Sequence, residues 1–277
     1  MKFWNIENEV DFFKKSLELT DKSNLFYQIK DNFLAYIPKK IEHSQTLQSR
    51  NAFIGAFTEK WVKKFLEPIA KSKGLYCING VVCEELGLTN RSPADIAFCV
   101  TNEKVQTQEN IKAIFEVKMS IVNNYFFNTK TNKIEFIGDY TTHKGNPSLL
   151  RSDSMLKAIG KLLNVRLKNI KNFIPLFVLG NTPITKTYEK DVDLLKKRGI
   201  IQGFINLYPD ITPKKVSATP SKGFVTFNNY KELNKFILEF LDKKYVYISK
   251  AISKEKLEEI LGKDVEEFLQ KIREIDD

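Results

Sequence analysis

The sequence predicts an α/β protein with a mixed β-sheet core flanked by helices. A long amphipathic helix at 51–72 precedes two apolar strands joined by a polar segment. Helices and strands alternate after residue 150, as in layered α/β folds. The run FIPLFVLG at 173–180 has no charged side chain, as expected for a central strand covered on both faces. With 277 residues, 42% of them hydrophobic, the chain can bury a sizeable core.

Residues 1–50 are predicted to form a helical segment packed on this core. Residues 5–19 alternate apolar and charged positions with helical spacing, and 24–40 continue with mixed aromatic and lysine content. The helix at 51–72 has two apolar stripes, and the second contains Glu59. The stripes are Ile54, Phe57, Trp61 and Phe65, and Gly55, Val62 and Leu66.

Three apolar stretches follow as candidate strands. LYCINGVVC at 75–83 fits either a hairpin with a turn at Asn79-Gly80 or a strand and its exit. PADIAFCV at 93–100 and AIFEVKMSIV at 113–122 are rich in β-branched and aromatic residues. The polar segment 101–110 between them favours an antiparallel pair.

The second half of the chain alternates helices with strands, although the pattern gives no continuous regular element for residues 121–150. The helix at 153–170 has an apolar stripe made of Leu156, Ile159, Leu163, Leu167 and Ile170. After the strand at 173–180, the pattern predicts a helix at 186–198, strands within 200–208 and 222–227, and a helix at 229–244.

The net charge of +10 is unevenly distributed. Residues 254–277 hold nine acidic and five basic residues, a net of −4, so residues 1–253 carry +10 − (−4) = +14. A basic body of this size suits a polyanion, because each neutralised phosphate releases counterions. The tail at 251–277 is predicted to form two short helices around Leu261-Gly262. Its acidity favours packing or dimerisation over DNA contact.

Composition excludes several other classes of site. The three cysteines, Cys77, Cys83 and Cys99, form no CxxC pair and are expected to be buried free thiols. With only His43 and His143, a histidine-rich zinc site is excluded, and no GxSxG or GxxxxGK[ST] motif occurs. The N-terminus has no apolar signal core, and no run approaches about 18 apolar residues. We therefore expect a cytoplasmic protein without membrane contact.

Carboxylates stand inside two of the apolar strands. Asp95 lies in PADIAFCV, and Glu116 lies with Lys118 in AIFEVKMSI. A charge in a buried strand is costly unless it is paired or metal-bound. Alternation places Glu116 and Lys118 on one face of the strand. Either Asp95 ends its strand at the surface and the pair faces solvent, or these charges meet at a site.

This arrangement resembles the PD-(D/E)xK nuclease superfamily, the fold of many type II restriction endonucleases. The matching residues are Pro93, Asp95, Glu116, Lys118 and the helical Glu59. The proline stands two residues before the aspartate instead of directly before it, and the helical glutamate could equally be a helix-boundary acid. The resemblance covers roughly residues 51–180.

The resemblance implies a metal-dependent hydrolysis of phosphodiester bonds. Asp95, Glu116 and the carbonyl of Val117 would ligate Mg²⁺, a hard ion that prefers oxygen. Lys118 would orient the attacking water, and Glu59 would hold a second ion or a ligand water.

The same resemblance suggests where DNA is bound. Lys157 and Lys161 lie on the helix after the EVK strand, which can line the active site of this fold, and they are candidates for phosphate contact. The alternative is an ordinary solvated face. His143 and Lys144, in DYTTHKGNPS, are candidate recognition residues. Residues 51–250 would then form the nuclease core with its DNA-recognition insertions.

The sequence therefore predicts a Mg²⁺-dependent type II restriction endonuclease that cuts double-stranded DNA at a specific sequence. On the resemblance we expect a homodimer, and a cognate DNA methyltransferase encoded nearby. One alternative is a repair, recombination or mobile-element nuclease of the same superfamily. A catalytically silent DNA-binding protein and a basic structural protein are the others.

Overall fold

The computed structural model describes residues 1–39, 41, 47–169, 173–211, 217–243, 245, 258–259 and 270. The chain divides into two compact units, Met1–Lys244 and Tyr245–Asp277. The helices predicted within 251–277 fall almost entirely outside the described residues. In the part that is described, no helix is long and apolar enough to cross a membrane.

The first unit contains helices and strands in mixed order. The helices are α1 (Ile6–Leu17), α2 (Gln48–Lys71), α3 (Ser152–Lys168), α4 (Glu189–Lys197) and α5 (Tyr230–Asp242). The strands are β1 (Tyr27–Ile29), β2 (Asn32–Leu34), β3 (Tyr76–Val81), β4 (Ala94–Cys99), β5 (Ile111–Lys118), β6 (Asn124–Asn128), β7 (Lys133–Gly138), β8 (Leu176–Gly180), β9 (Gly203–Asn206) and β10 (Phe224–Thr226).

Six of the strands form a mixed sheet in the order β10-β9-β8-β5-β4-β3. The strands β3, β4 and β5 pair antiparallel, and β5, β8, β9 and β10 pair parallel. The predicted mixed sheet flanked by helices is confirmed, as is the antiparallel pairing of the two strands that contain Asp95 and Glu116.

This sheet has a hydrophobic core on each face. Phe115 and Phe177 pack with side chains of α1, α2 and α5 on one face. Ile114 and Val178 pack with side chains of α3 and α4 on the other. Successive side chains of a strand point to opposite faces, so β5 is covered on both sides. Glu116, which lies in the covered part of β5, therefore needs a partner.

A second sheet of four strands corrects the predictions for two regions. Its order is β1-β2-β6-β7, with antiparallel pairing throughout. The helical prediction for residues 1–50 is wrong beyond α1, because residues 27–34 form the β1–β2 hairpin, with Lys30 at a φ of +56° in its turn. The sequence pattern gave no continuous regular element for residues 121–150. In the structure this region contains β6 and β7.

Two local predictions are also decided by the structure. Gly80 lies within β3 at a φ of +68°, so 75–83 is a strand and its exit instead of a hairpin. The apolar stripe predicted for the helix at 153–170 is wrong: Leu156 and Leu167 are 59% and 54% exposed. The buried side chains of α3 are Met155, Ala158, Leu162, Val165 and Arg166.

The buried face of α3 also contains a charged side chain, Arg166, which finds partners. Arg166 donates hydrogen bonds to the carbonyl oxygens of Ile174 (2.9 Å) and Ile200 (3.2 Å) and to the Gln202 side chain (3.0 Å). Lys161, five residues before Arg166, forms ion pairs with Asp95 and Glu116. A buried polar group with satisfied hydrogen bonds avoids most of the desolvation cost.

A buried carboxylate links α1 to the connection between β5 and β6. Glu9 is fully buried, and its oxygens accept hydrogen bonds from the backbone N–H groups of Val122 (2.7 Å) and Asn123 (3.2 Å). The hydroxyl of Tyr125 (2.7 Å) and the indole N–H of Trp4 (3.3 Å) also donate to it. Burial raises the pKa of Glu9, although these hydrogen bonds oppose the shift.

Glu9→Gln is predicted to destabilise the protein, because the amide NH₂ of glutamine would face donors that need an acceptor. The expected loss in unfolding free energy is about 1–3 kcal/mol, measured by urea denaturation. Glu7→Gln, at an exposed position of the same helix, is the matched control and should change little. Equal stability of the two variants would contradict the role of Glu9.

Candidate active site

The pairing of β4 with β5 places two carboxylates opposite each other. Ile96 pairs with Phe115 in an antiparallel register. Asp95 comes directly before Ile96 and Glu116 directly after Phe115. Because the strands are antiparallel, both carboxylates lie at the same end of the strand pair. The carboxylates that interrupt two apolar strands in the sequence therefore belong to one place in the fold.

Lys161 of α3 binds both of these carboxylates. Its Nζ lies 2.9 Å from Asp95 Oδ1 and 2.6 Å from Glu116 Oε2. The second oxygen of Asp95 accepts a hydrogen bond of 2.7 Å from the backbone N–H of Val117. Lys118 forms an ion pair with Glu116 Oε1. Two acids and two lysines thus form one group, Asp95, Glu116, Lys118 and Lys161, which we call the charge cluster.

The charge cluster is largely withdrawn from solvent. Glu116 is 2% exposed, and the side chains of Asp95, Lys161 and Lys118 are 15%, 19% and 22% exposed. A solvent-facing pair, the alternative interpretation of Glu116 and Lys118, is therefore ruled out. The alternative in which Asp95 ends its strand at the surface is also wrong, because the Asp95 carboxylate is mostly buried and binds Lys161.

Burial and charge set the ionisation of the cluster. Burial, followed by the charge of Asp95, raises the pKa of Glu116, while Lys118 and Lys161 oppose this shift. Burial alone would lower the pKa of Lys161, but Asp95 and Glu116 together raise it above the usual value. Lys161 is therefore held as an ammonium ion.

Glu59 of α2 lies near the cluster without being bound to it. Burial and then the charge of Asp95 raise the pKa of Glu59, and the charges of Lys161 and Lys118 act in the opposite direction. Among the described residues, no hydrogen bond or ion pair joins Glu59 to the cluster. The structure therefore brings this predicted residue close enough for electrostatic influence only.

The remaining predicted residues lie outside the cluster. Lys157 has a side chain that is 76% exposed and 3.6 Å from Asp153. His143 is buried, with its Nε2 3.1 Å from the Val122 carbonyl oxygen and its ring stacked on Tyr36. Burial lowers the pKa of His143. Lys144, its neighbour, is exposed.

Sequence reasoning missed the residues that fix the chain after Lys118. Ser148 donates from its hydroxyl to the Lys118 carbonyl and accepts a hydrogen bond of 3.0 Å from the Asn181 N–H. The Asn181 side chain binds both the N–H (3.0 Å) and the carbonyl (2.6 Å) of Ser120. Asn181 follows the apolar strand β8 directly, and a polar residue at that end of a parallel strand is a usable sequence signal.

The oxygens of the charge cluster are of the type that a hard cation prefers, but each carboxylate oxygen already binds Lys118, Lys161 or the backbone N–H of Val117. Among the described residues, no group of three or more His, Cys, Asp and Glu side chains is arranged to hold a metal ion. The cluster offers the carboxylates of Asp95 and Glu116 beside the carbonyl of Val117, which lies 3.5 Å from Lys118 Nζ. Mg²⁺ is commonly bound through one or two carboxylates and several waters.

Comparisons with protein-family models, with curated proteins and with solved structures find no match for this chain. The features of this chain that bear on its function are therefore the charge cluster, its burial and the net charge of the chain around it.

Lys161→Met is predicted to destabilise the protein, because Asp95 would lose its ion-pair partner and Glu116 would keep only Lys118. Removing one partner from a mostly buried ion pair costs about 3 kcal/mol, and denaturation in EDTA should show a loss of this size. Lys157→Met, on the exposed face of the same helix, is the control and should cost about 0.5 kcal/mol or less. If both variants are equally stable, Lys161 does not hold the cluster together.

Proposed function

We propose that this protein is a Mg²⁺-dependent nuclease that hydrolyses double-stranded DNA at a specific sequence, as a type II restriction endonuclease does. The observation that carries the proposal is the charge cluster, in which two carboxylates on adjacent strands are bound by two lysines. The charge of +14 on residues 1–253 supports a polyanionic substrate. The motif resemblance adds the reaction class.

Each member of the cluster has a role in this proposal. Asp95 and Glu116, with the carbonyl of Val117, would hold Mg²⁺, which supplies Lewis-acid stabilisation of charge on the phosphate oxygens. Lys118, the most exposed member, would orient the water whose oxygen forms the new bond to phosphorus. Lys161 would bind a non-bridging phosphate oxygen of the substrate.

The proposal extends to assembly and genetic context. An enzyme with one cluster per chain cuts both strands most simply as a homodimer, so we propose one cluster per strand. A cognate DNA methyltransferase encoded nearby would protect the host DNA. The homodimer and the methyltransferase follow from the restriction-endonuclease hypothesis. The alternative functions do not require them.

Digestion of one plasmid in Mg²⁺ separates these alternatives. Discrete bands support a restriction endonuclease, whereas a smear supports a repair, recombination or mobile-element nuclease that recognises structure or ends. DNA binding without Mg²⁺-dependent cleavage supports a catalytically silent DNA-binding protein. A protein that neither binds nor cuts DNA has a structural role.

Loss of any central member of the cluster is predicted to abolish cleavage. Asp95→Ala, Glu116→Ala and Lys118→Ala should each lower the plasmid cleavage rate by about 10³-fold or more, because metal and positioned water together supply most of the barrier reduction. Glu67→Ala, an acid of α2 paired with Lys71, should cut at the normal rate. A folded cluster variant that still cuts at the normal rate would place the site elsewhere.

DNA binding is predicted to depend steeply on salt. Affinity, measured by fluorescence anisotropy in EDTA, should fall at least about tenfold between about 50 and 200 mM salt. Lys157→Ala and Lys161→Ala should weaken binding to all sequences about equally, because phosphate contacts position DNA without specifying its sequence. An affinity that is independent of salt would contradict phosphate contact.

A further inference from the structure

A cavity of about 500 Å³ opens beside the segment that leaves β5. Ser120, two residues after Lys118, belongs to its lining. So do Ser152 and Asp153, which begin α3, the helix that carries Lys161. The cavity is therefore lined partly by the segment after β5 and by the start of α3, and β5 and α3 supply three of the four members of the charge cluster. Its volume is that of a small-ligand pocket.

The lining of this cavity combines positive charge with flat aromatic rings. It contains the cations Arg50, Lys144 and Arg151 and one carboxylate, Asp153, which pairs with Arg151 at 2.9 Å. Tyr27 and Tyr36 also line it, and the Arg50 guanidinium lies over both rings, 5.3 and 4.9 Å from their centroids. Cations suit a phosphate group, and aromatic or guanidinium planes suit a nucleobase.

Arg50 is a buried cation with an unused donor. It is 4% exposed, and its Nη1 donates to the carbonyl oxygens of Leu25 (3.2 Å) and Ala35. Its Nε has no hydrogen-bond partner among the described residues. Leaving a buried donor unpaired costs free energy, so an acceptor that enters the cavity would stabilise this side chain.

The aromatic wall is held in place by its neighbours. The Tyr36 hydroxyl donates to the Ile121 carbonyl (2.5 Å), and its backbone N–H donates to Asn124 Oδ1 (2.8 Å). Its ring stacks on His143, with 3.9 Å between centroids and 7° between planes. A Cβ at Gly145 would lie 3.2 Å from this ring, so glycine allows the loop to pass close to it. His143 thus supports Tyr36 from within the fold.

We propose that the cavity binds one unpaired nucleotide of the substrate strand, next to the bond that the charge cluster cleaves. Lys144 and Arg151 bind its phosphate, and its base lies against Tyr27 and Arg50. In a double-stranded substrate this nucleotide must first flip out of the helix, because a base within a duplex cannot enter a pocket. This inference rests on the proposed nuclease function.

The test is calorimetric titration of the full chain in EDTA with dAMP, dTMP and inorganic phosphate. Both nucleotides should bind at least about tenfold more tightly than phosphate, since phosphate lacks the base contact. Tyr27→Ala should lower nucleotide affinity about tenfold, and Tyr27→Phe should retain it because the ring remains. Lys144→Gln should weaken nucleotides and phosphate alike, whereas Lys133→Gln, on the exposed strand β7, should weaken neither.

The outcomes separate the cavity from the nuclease proposal. Nucleotides that bind no more tightly than phosphate, or a Tyr27→Ala variant with normal nucleotide affinity, overturn the cavity proposal even if plasmid cleavage is observed. Nucleotide binding that responds to Tyr27→Ala and Lys144→Gln supports the cavity. The same result without any Mg²⁺-dependent cleavage would retain the binding site and reject the nuclease function.

Discussion

The ion pairs of Lys161 with Asp95 and Glu116 are the interaction on which the centre of this fold depends. Antiparallel pairing of β4 and β5 sets two carboxylates opposite each other. Two like charges about 4 Å apart repel by about 4 kcal/mol at an effective dielectric constant of 20. Lys161, with Lys118, turns this repulsion into attraction and fixes which face of α3 is buried.

The chain around the cluster is held by buried polar groups instead of apolar packing alone. Ser148 and Asn181 fix the backbone after Lys118, and Glu9 binds the N–H groups of Val122 and Asn123 a few residues later. These contacts join α1, β8 and the turn before α3 to one connecting segment. The proposed nuclease would need such rigidity, because a phosphate must be placed accurately against the metal and the water.

The sequence predicted which charged side chains come together better than it predicted the packing. Asp95, Glu116 and Lys118 stood out because they interrupt apolar strands. Lys161 was expected to contact phosphate, but spacing cannot show that it binds Asp95, 66 residues away. The buried face of α3 was missed because Met155, Ala158, Leu162 and Val165 form a second apolar stripe, and spacing alone does not show which stripe is buried. The strand β1 was missed because it has only three residues, and β7 was missed because four of its six residues are exposed, which removes the alternating pattern. Nothing in the sequence pattern marked Arg50 as a buried cation.

The central claim is that Asp95 and Glu116 together bind a divalent cation. Anomalous scattering from crystals soaked in Mn²⁺ without DNA measures this directly. The account predicts a peak about 2.2 Å from carboxylate oxygens of both residues, and its loss in Glu116→Gln crystals. Crystals at saturating Mn²⁺ with no peak there, or with a peak that persists in Glu116→Gln, would contradict it.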